Sequence, residues 1–129
     1  MITHISTVQI NVRDQDKALE FYTTKLGFEK VMDEPMGPDM RWVQLAPGKG
    51  SQTGLVLFKP APGMPAYEKA VESIGGYASF IFNVEDMEAT CRDLVAKGVE
   101  FVDQPSKQPW GWWASIKDLD GNIIGLHSM

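Results

Sequence analysis

The feature that most constrains the fold is an internal repeat. Residues 7–31 read TVQINVRDQDKALEFYTTKLGFEKV, and residues 79–102 read SFIFNVEDMEATCRDLVAKGVEFV. Each copy opens with alternating β-branched or aromatic residues, which is typical of a half-buried strand. Each then passes an aspartate suited to cap a helix, Asp14 or Asp86, and reaches a glycine suited to end it, Gly27 or Gly98. The repeat predicts strand, helix and strand in each copy.

The similarity continues beyond those two segments. RWVQLAPGKG (41–50) parallels WWASIKDLDG (112–121), and TGLVLF (53–58) parallels NIIGLH (122–127). Each half therefore reads as βαβββ, and the predicted fold is α+β with two such modules. Module one covers about 4–58, a proline-rich linker with a short helix covers 59–76, and module two covers about 77–129. Pairing such modules, within one chain or across a dimer, would close a barrel-like cleft with the helices outside.

Composition narrows the choice of partners. The 129 residues fit a single domain, the formal net charge is -5, and lysine and arginine are scattered. This argues against a nucleic-acid partner and mildly favours a cationic ligand. No apolar run is long enough to cross a bilayer, and no secretion leader opens the chain, so no membrane partner is expected. Cys91 is the only cysteine, which favours a reduced, cytoplasmic location.

Strand alternation predicts which side chains face the cleft and which face the helices. The side chains expected to line the cleft as a ligand-binding set are Thr7, Gln9, Asn11, Trp42, Gln44, Val56, Ser79, Asn83, Trp113, Ser115, Gly125 and His127. Trp112 is expected on the helix side. Two facing tryptophans with polar neighbours suit a planar, partly polar ligand or a cation over a ring. The alternative is that the tryptophans only fill a core or a dimer interface.

Two further segments leave alternatives open. His127 could act as an acid or base, or could simply be a hydrogen-bonded bystander, so no catalytic residue is assigned. MDEPMGPDM, residues 32–40, contains prolines and a glycine and is expected to be a loop, either a flexible lid over the cleft or plain surface.

Three segments together resemble the vicinal oxygen chelate superfamily, which includes glyoxalase I, extradiol dioxygenases, and fosfomycin and bleomycin resistance proteins. They are NVRDQDKALEFYTTKLGF (11–28), NVEDMEATCRDLVAKGVEF (83–101) and DLDGNIIGL (118–126). The resemblance covers nearly the whole chain. It implies the paired βαβββ fold and a homodimer whose second chain covers exposed strand edges.

The resemblance also implies where a metal would be held. The family's metal-dependent members carry His or Glu at four positions, one on each inner strand, and these positions fall on Thr7, Val56, Ser79 and Gly125. None of the four supplies the imidazole, carboxylate or thiolate that a divalent ion requires. The pattern is therefore similar to the bleomycin-resistance branch, whose members bind drugs without a protein-held metal.

The function that we expect is metal-independent binding of a small organic molecule, such as drug sequestration in resistance, with no cofactor. One alternative is a glyoxalase- or dioxygenase-type enzyme with atypical or no metal ligands. A second alternative is a regulatory module that kept the fold without the pocket. Whether the chain is an enzyme stays open at this point.

Overall fold

The computed structural model describes residues 1–48 and 50–129. Lys49, which the sequence places in a turn between two strands, lies outside the described residues. The elements are β1 (Thr7–Asn11), α1 (Gln15–Thr24), β2 (Glu29–Pro35), β3 (Arg41–Ala46), β4 (Gly54–Phe58), α2 (Tyr67–Ser73), β5 (Tyr77–Asn83), α3 (Met87–Ala96), β6 (Phe101–Gln108), β7 (Gly111–Lys117) and β8 (Ile123–Ser128). The order confirms the predicted α+β fold of two βαβββ modules, with α2 between them.

The chain divides into two compact units, Met1–Ile74 and Gly75–Met129. The first contains a four-stranded sheet in the order β1-β4-β3-β2, and the second contains one in the order β5-β8-β7-β6. In each sheet the first and last strands of the module are parallel neighbours, and the remaining pairs are antiparallel. The pairing of the modules into a cleft stays a prediction.

The repeat extends to the pairing register. In the first sheet Val56 lies between Gln9 and Gln44, and in the second Gly125 lies between Ile81 and Ser115. The second strand of each module has a register shift at the equivalent place, between Lys30 and Met32 and between Phe101 and Asp103. Positions in the two modules can therefore be compared residue by residue.

Both helices of the repeat begin as the sequence predicted. The Asp14 carboxylate accepts a hydrogen bond from the Lys17 amide (3.0 Å), and Asp86 accepts one from the Ala89 amide (3.0 Å). These bonds satisfy amides that have no partner within the helix. Just beyond the helix ends, Gly27 (φ 76°) and Gly98 (φ 79°) take the left-handed conformation that glycine accepts without strain.

One sheet face of each module packs against its helix to form an apolar core. In module one the buried side chains include Ile10, Val12, Ala18, Tyr22, Val43, Leu45, Leu55 and Leu57. In module two they include Met87, Cys91, Leu94, Ala114, Ile116, Ile124 and Leu126. Burial raises the pKa of the Cys91 thiol, which disfavours the reactive thiolate and fits a packing role.

The expectation that residues 32–40 form a loop was wrong for the first four. Strand β2 continues to Pro35, which lies opposite Arg41. Proline is tolerated there because β2 is at the edge of the sheet, where one side of the strand needs no hydrogen-bond partner. A hydrogen bond from the Met36 amide to the Met40 carbonyl (2.7 Å) closes a short hairpin loop.

Strand β6 is also longer than the sequence suggested, because it runs through polar residues and Pro105 to Gln108. It too is an edge strand, and a second irregularity separates Asp103 from Ser106. Within the two described ranges, every helix is too short or too polar to span a membrane.

Candidate functional site

The predicted site residues of module one share one face of its sheet. We name the face opposite the packed helix the distal face of each module. Thr7, Gln9, Asn11, Trp42, Gln44 and Val56 alternate with core residues along β1, β3 and β4, so all six belong to the distal face. Gln9, Val56 and Gln44 are direct neighbours in one row across the strands.

Gln44 lies against both Trp42 and Gly54 on the distal face of module one. Its side-chain oxygen accepts a hydrogen bond from the Trp42 indole nitrogen (3.1 Å). Its amide lies over Gly54, where an added Cβ would come within 2.7 Å of the Gln44 Nε2. Val56 is only 1% exposed. The Trp42 indole is therefore bonded to a neutral amide, while Glu34 lies opposite Trp42 on the neighbouring strand.

The distal face of module two carries the other six predicted residues. Ile81, Gly125 and Ser115 form one row across the strands, and Asn83, His127 and Trp113 form the next. Ser79 is exposed and lies farther along β5, in a stretch of irregular pairing between Tyr77 and Ile81. The structure therefore brings Asn83, Trp113, Ser115, Gly125 and His127 together, with Ser79 to one side.

The Trp113 ring lies directly over Gly125. A Cβ added at Gly125 would collide with the ring atom Cη2 and would come within 2.9 Å of Cζ3 and 3.0 Å of Cζ2. No real side-chain carbon tolerates such contacts, so only glycine lets the indole approach the strand this closely. The sequence placed both residues on this face, but their contact could not be read from strand alternation.

Trp110 and His127 complete an aromatic cluster with Trp113. The Trp110 and Trp113 rings are 6.0 Å apart at an interplanar angle of 69°, an edge-to-face arrangement. The Trp110 and His127 rings are 6.0 Å apart and nearly parallel, at 21°. The His127 Nε2 also lies 3.2 Å from the Trp110 carbonyl oxygen. Trp110 is 55% exposed, so this cluster offers aromatic surface to a ligand.

Like Trp110, Asp103 is a site residue outside the predicted set. Its Oδ2 accepts hydrogen bonds from the Trp113 indole nitrogen (3.2 Å) and from the Ser115 hydroxyl (2.8 Å). The Asp103 amide in turn donates to the Ser115 oxygen (3.0 Å). Aligning the two copies of the repeat could have placed Asp103 on the distal face. Its equivalent in module one is Met32, which lies opposite Gln44 on the corresponding face.

The remaining tryptophan of this segment lies elsewhere. Trp112 belongs to the helix side of β7 with Ala114 and Ile116, as strand alternation predicted. It is half-buried, whereas Ala114 and Ile116 are fully buried. The three tryptophans therefore divide into two that meet on the distal face and one that packs on the opposite side.

The four positions that the family would use for a metal do not fit one. Val56 and Gly125 have no donor atom in their side chains, and Thr7 and Ser79 offer only neutral hydroxyls. Across residues 1–48 and 50–129, no three His, Cys, Asp or Glu side chains gather in an arrangement that could hold a metal ion.

A cavity on the helix side of module one is lined in part by an arginine that is already paired with carboxylates. Gln15, Asp33, Arg41 and Lys59 are among its lining residues. Arg41 is already bound by both oxygens of Asp33 (2.7 and 2.8 Å) and by Asp16 (2.8 Å). The hydrogen bonds and positive charge of Arg41 hold the pKa of Asp33 below its ordinary value. The guanidinium is thus already paired with two carboxylates of the protein.

Comparison with known proteins gives one consistent result. The profile of the Glyoxalase/Bleomycin resistance protein/Dioxygenase superfamily matches residues 2–126. The uncharacterised protein YetH of Bacillus subtilis (strain 168) is 40% identical over 126 residues, which cover 98% of both chains.

Two solved structures are similar over nearly their whole length. A superfamily member from Sphaerobacter thermophilus is 33% identical with a TM-score of 0.87, covering 99% of this chain and 98% of that one. TnmS3, an antibiotic binding protein from Streptomyces sp. CB03234, is 37% identical with a TM-score of 0.81, covering 98% of this chain and 96% of that one.

Proposed function

The chain belongs to the glyoxalase/bleomycin resistance protein/dioxygenase superfamily, and from this premise we propose that it binds a small organic molecule without a protein-held metal. The observation that carries the proposal is the aromatic cluster of Trp110, Trp113 and His127 on the distal face of module two. Partly exposed indole rings provide large apolar contact area and a polar edge, which suits a planar ligand.

The role that we propose is sequestration of a drug-like molecule, as in resistance. TnmS3 supports this role because that protein, similar over 98% of this chain, is an antibiotic binding protein. Catalysis of the metal-dependent kind is disfavoured by the side chains at Thr7, Val56, Ser79 and Gly125, which lack strong donors. A cytoplasmic location is part of the proposal, and it rests on Cys91 being the only cysteine.

We also propose that the protein works as a homodimer. Tyr77 (81% exposed) and Ile81 (58% exposed) place apolar surface on β5, an edge strand of its sheet. Exposed edges of this kind are commonly covered by a second chain. Light scattering at micromolar concentration should give the mass of two chains, and a monomer mass would refute this part of the proposal.

The binding proposal is tested by a thermal-shift screen of drug-like aromatic compounds. A ligand that binds only the native state raises the melting temperature. For each hit, Trp113→Phe should weaken binding about fivefold, the scale of one lost aromatic contact, and should remove much of the change in indole emission. Trp42→Phe is the matched control, because it changes the equivalent tryptophan of module one and should leave binding at a site on module two unaffected. If the affinity and emission of every hit are insensitive to Trp113→Phe, the proposed site is refuted.

Metal independence is tested separately. Elemental analysis of protein purified without a tag should find no stoichiometric zinc, nickel, manganese or iron. Glutathione-dependent methylglyoxal isomerisation should be absent even with added metal. One equivalent of metal per chain, or isomerase activity, would favour the enzymatic alternative.

A further inference from the structure

We propose that the distal face of module two selects planar aromatic ligands that carry a positive charge, and that Asp103 recognises the charge. This inference rests on the proposed binding function and names the class of ligand. It assigns Asp103 a role beyond the packing of its own strand.

The hydrogen bonds of Asp103 leave half of its carboxylate available. Oδ2 is engaged by the Trp113 indole nitrogen and the Ser115 hydroxyl. In the part of the chain that the structure describes, no hydrogen bond reaches Oδ1, and no Lys or Arg forms an ion pair with the carboxylate. Asp103 is exposed. A ligand that reaches the Trp113 ring therefore meets a negative charge that the protein has not neutralised.

The ring and the carboxylate favour the same kind of ligand. The face of an indole attracts cations through its quadrupole, and a nearby carboxylate adds a direct attraction. A neutral planar molecule would gain the ring contact alone. The net charge of -5 acts in the same direction at longer range.

Module one provides an internal comparison. Its equivalent tryptophan, Trp42, donates its indole hydrogen bond to the Gln44 amide. The residue equivalent to Asp103 is Met32, which has no charge. The group that accepts the indole hydrogen bond is thus a neutral amide in module one and a carboxylate in module two. Glu34 lies opposite Trp42 on the neighbouring strand, so module one differs in which group bonds to the indole and not in the presence of a charge on this face.

A purely positioning role for Asp103 makes a different prediction. If the carboxylate only held the Trp113 ring in place, its loss would weaken cationic and neutral ligands by the same factor. Asparagine separates the two roles, because its side-chain oxygen can still accept the bonds from Trp113 and Ser115 while the charge is gone.

The experiment compares N-methylacridinium, a permanent cation, with acridine, which is uncharged in mildly alkaline buffer and has nearly the same ring system. Wild-type protein should bind the cation about fivefold more tightly than acridine, the factor for one partly exposed charge pair. Asp103→Asn should abolish this preference and leave acridine affinity within about a factor of two. The preference should also shrink as salt is added.

Asp93→Asn is the control, because it removes the same charge from the exposed surface of α3, where Asp93 pairs with Lys97. It should keep the preference. Equal loss of both probes in Asp103→Asn, equal affinity of both for the wild type, or no binding of either overturns the inference. The binding proposal itself fails only if no compound in the screen depends on Trp113.

Discussion

Replacing Gly125 with alanine would place a methyl group in the space that the Trp113 ring occupies. The three heavy atoms nearest to the added Cβ all belong to that ring. Gly125 does not have a positive φ, so alanine itself fits the backbone there. The substitution should therefore act through Trp113 alone, so its effect is not mixed with backbone strain at position 125.

The expected cost follows from the displaced ring. Overpacking of this kind costs about 1–3 kcal/mol. Moving the indole also weakens its hydrogen bond to Asp103, a loss of about 1 kcal/mol. Gly125→Ala should therefore lower the free energy of unfolding by about 2–4 kcal/mol. Ligand binding at the aromatic cluster should be lost with it.

The assay is a double-mutant cycle measured by equilibrium urea unfolding at one fixed protein concentration. In a Trp113→Ala background the collision is absent, and Gly125→Ala should then stabilise the protein by about 0.5 kcal/mol, because alanine loses less chain entropy on folding. The effect of one substitution thus reverses its sign between two backgrounds. The same cost in both backgrounds would refute the contact between Trp113 and Gly125.

Gly54→Ala is the matched control in module one. Its added Cβ would meet the Gln44 side chain, with Nε2 at 2.7 Å and Cγ at 3.2 Å. That side chain is flexible and its amide can swing toward solvent, whereas the indole is rigid. The cost of Gly54→Ala should stay below about 1 kcal/mol.

Three further predictions concern stability. Asp33→Asn should lower the free energy of unfolding by about 1 kcal/mol near neutral pH, because Arg41 holds the pKa of Asp33 low. In urea unfolding repeated at decreasing pH, the difference between variant and wild type should vanish as the pH falls below 3.8, the ordinary pKa of the carboxyl, and through the lowered pKa of the folded state. Trp112→Ala should cost about 2 kcal/mol in urea unfolding, because the side chain is only half-buried, with little change in affinity for a screened ligand. Asn122→Ala should cost about 2–3 kcal/mol and speed hydrogen exchange at the Gly75 amide, which donates to the Asn122 side chain (2.8 Å).

Much of the fold could be predicted because the sequence contains two copies of the same βαβββ pattern. The N-caps at Asp14 and Asp86 and the alternation along β1 and β5 need only local sequence. The register of Val56 and Gly125 followed from aligning the two copies. These features depend on backbone periodicity, which a sequence displays directly.

Asp103 was missed for a physical reason. The tail of β6 reads DQPSKQ, which has neither the apolar alternation nor the β-branched residues of a strand. An edge strand needs only one hydrogen-bonded neighbour, so polar residues and Pro105 are tolerated there. The position of the Trp113 ring was missed because strand alternation gives the face of a side chain and not its rotamer.

The differences between the modules favour a ligand site over simple packing. Val56 in module one becomes Gly125 in module two, which makes room for a flat indole. Met32 becomes Asp103, which accepts the indole hydrogen bond, and Phe58 becomes His127, which contacts Trp110. Packing alone would gain from filling this face with apolar side chains, as Val56 does. The Trp113 ring covers Gly125, so packing is kept at that position. Packing alone gives no reason for the carboxylate of Asp103 where module one has Met32, whereas binding a charged planar molecule would use it.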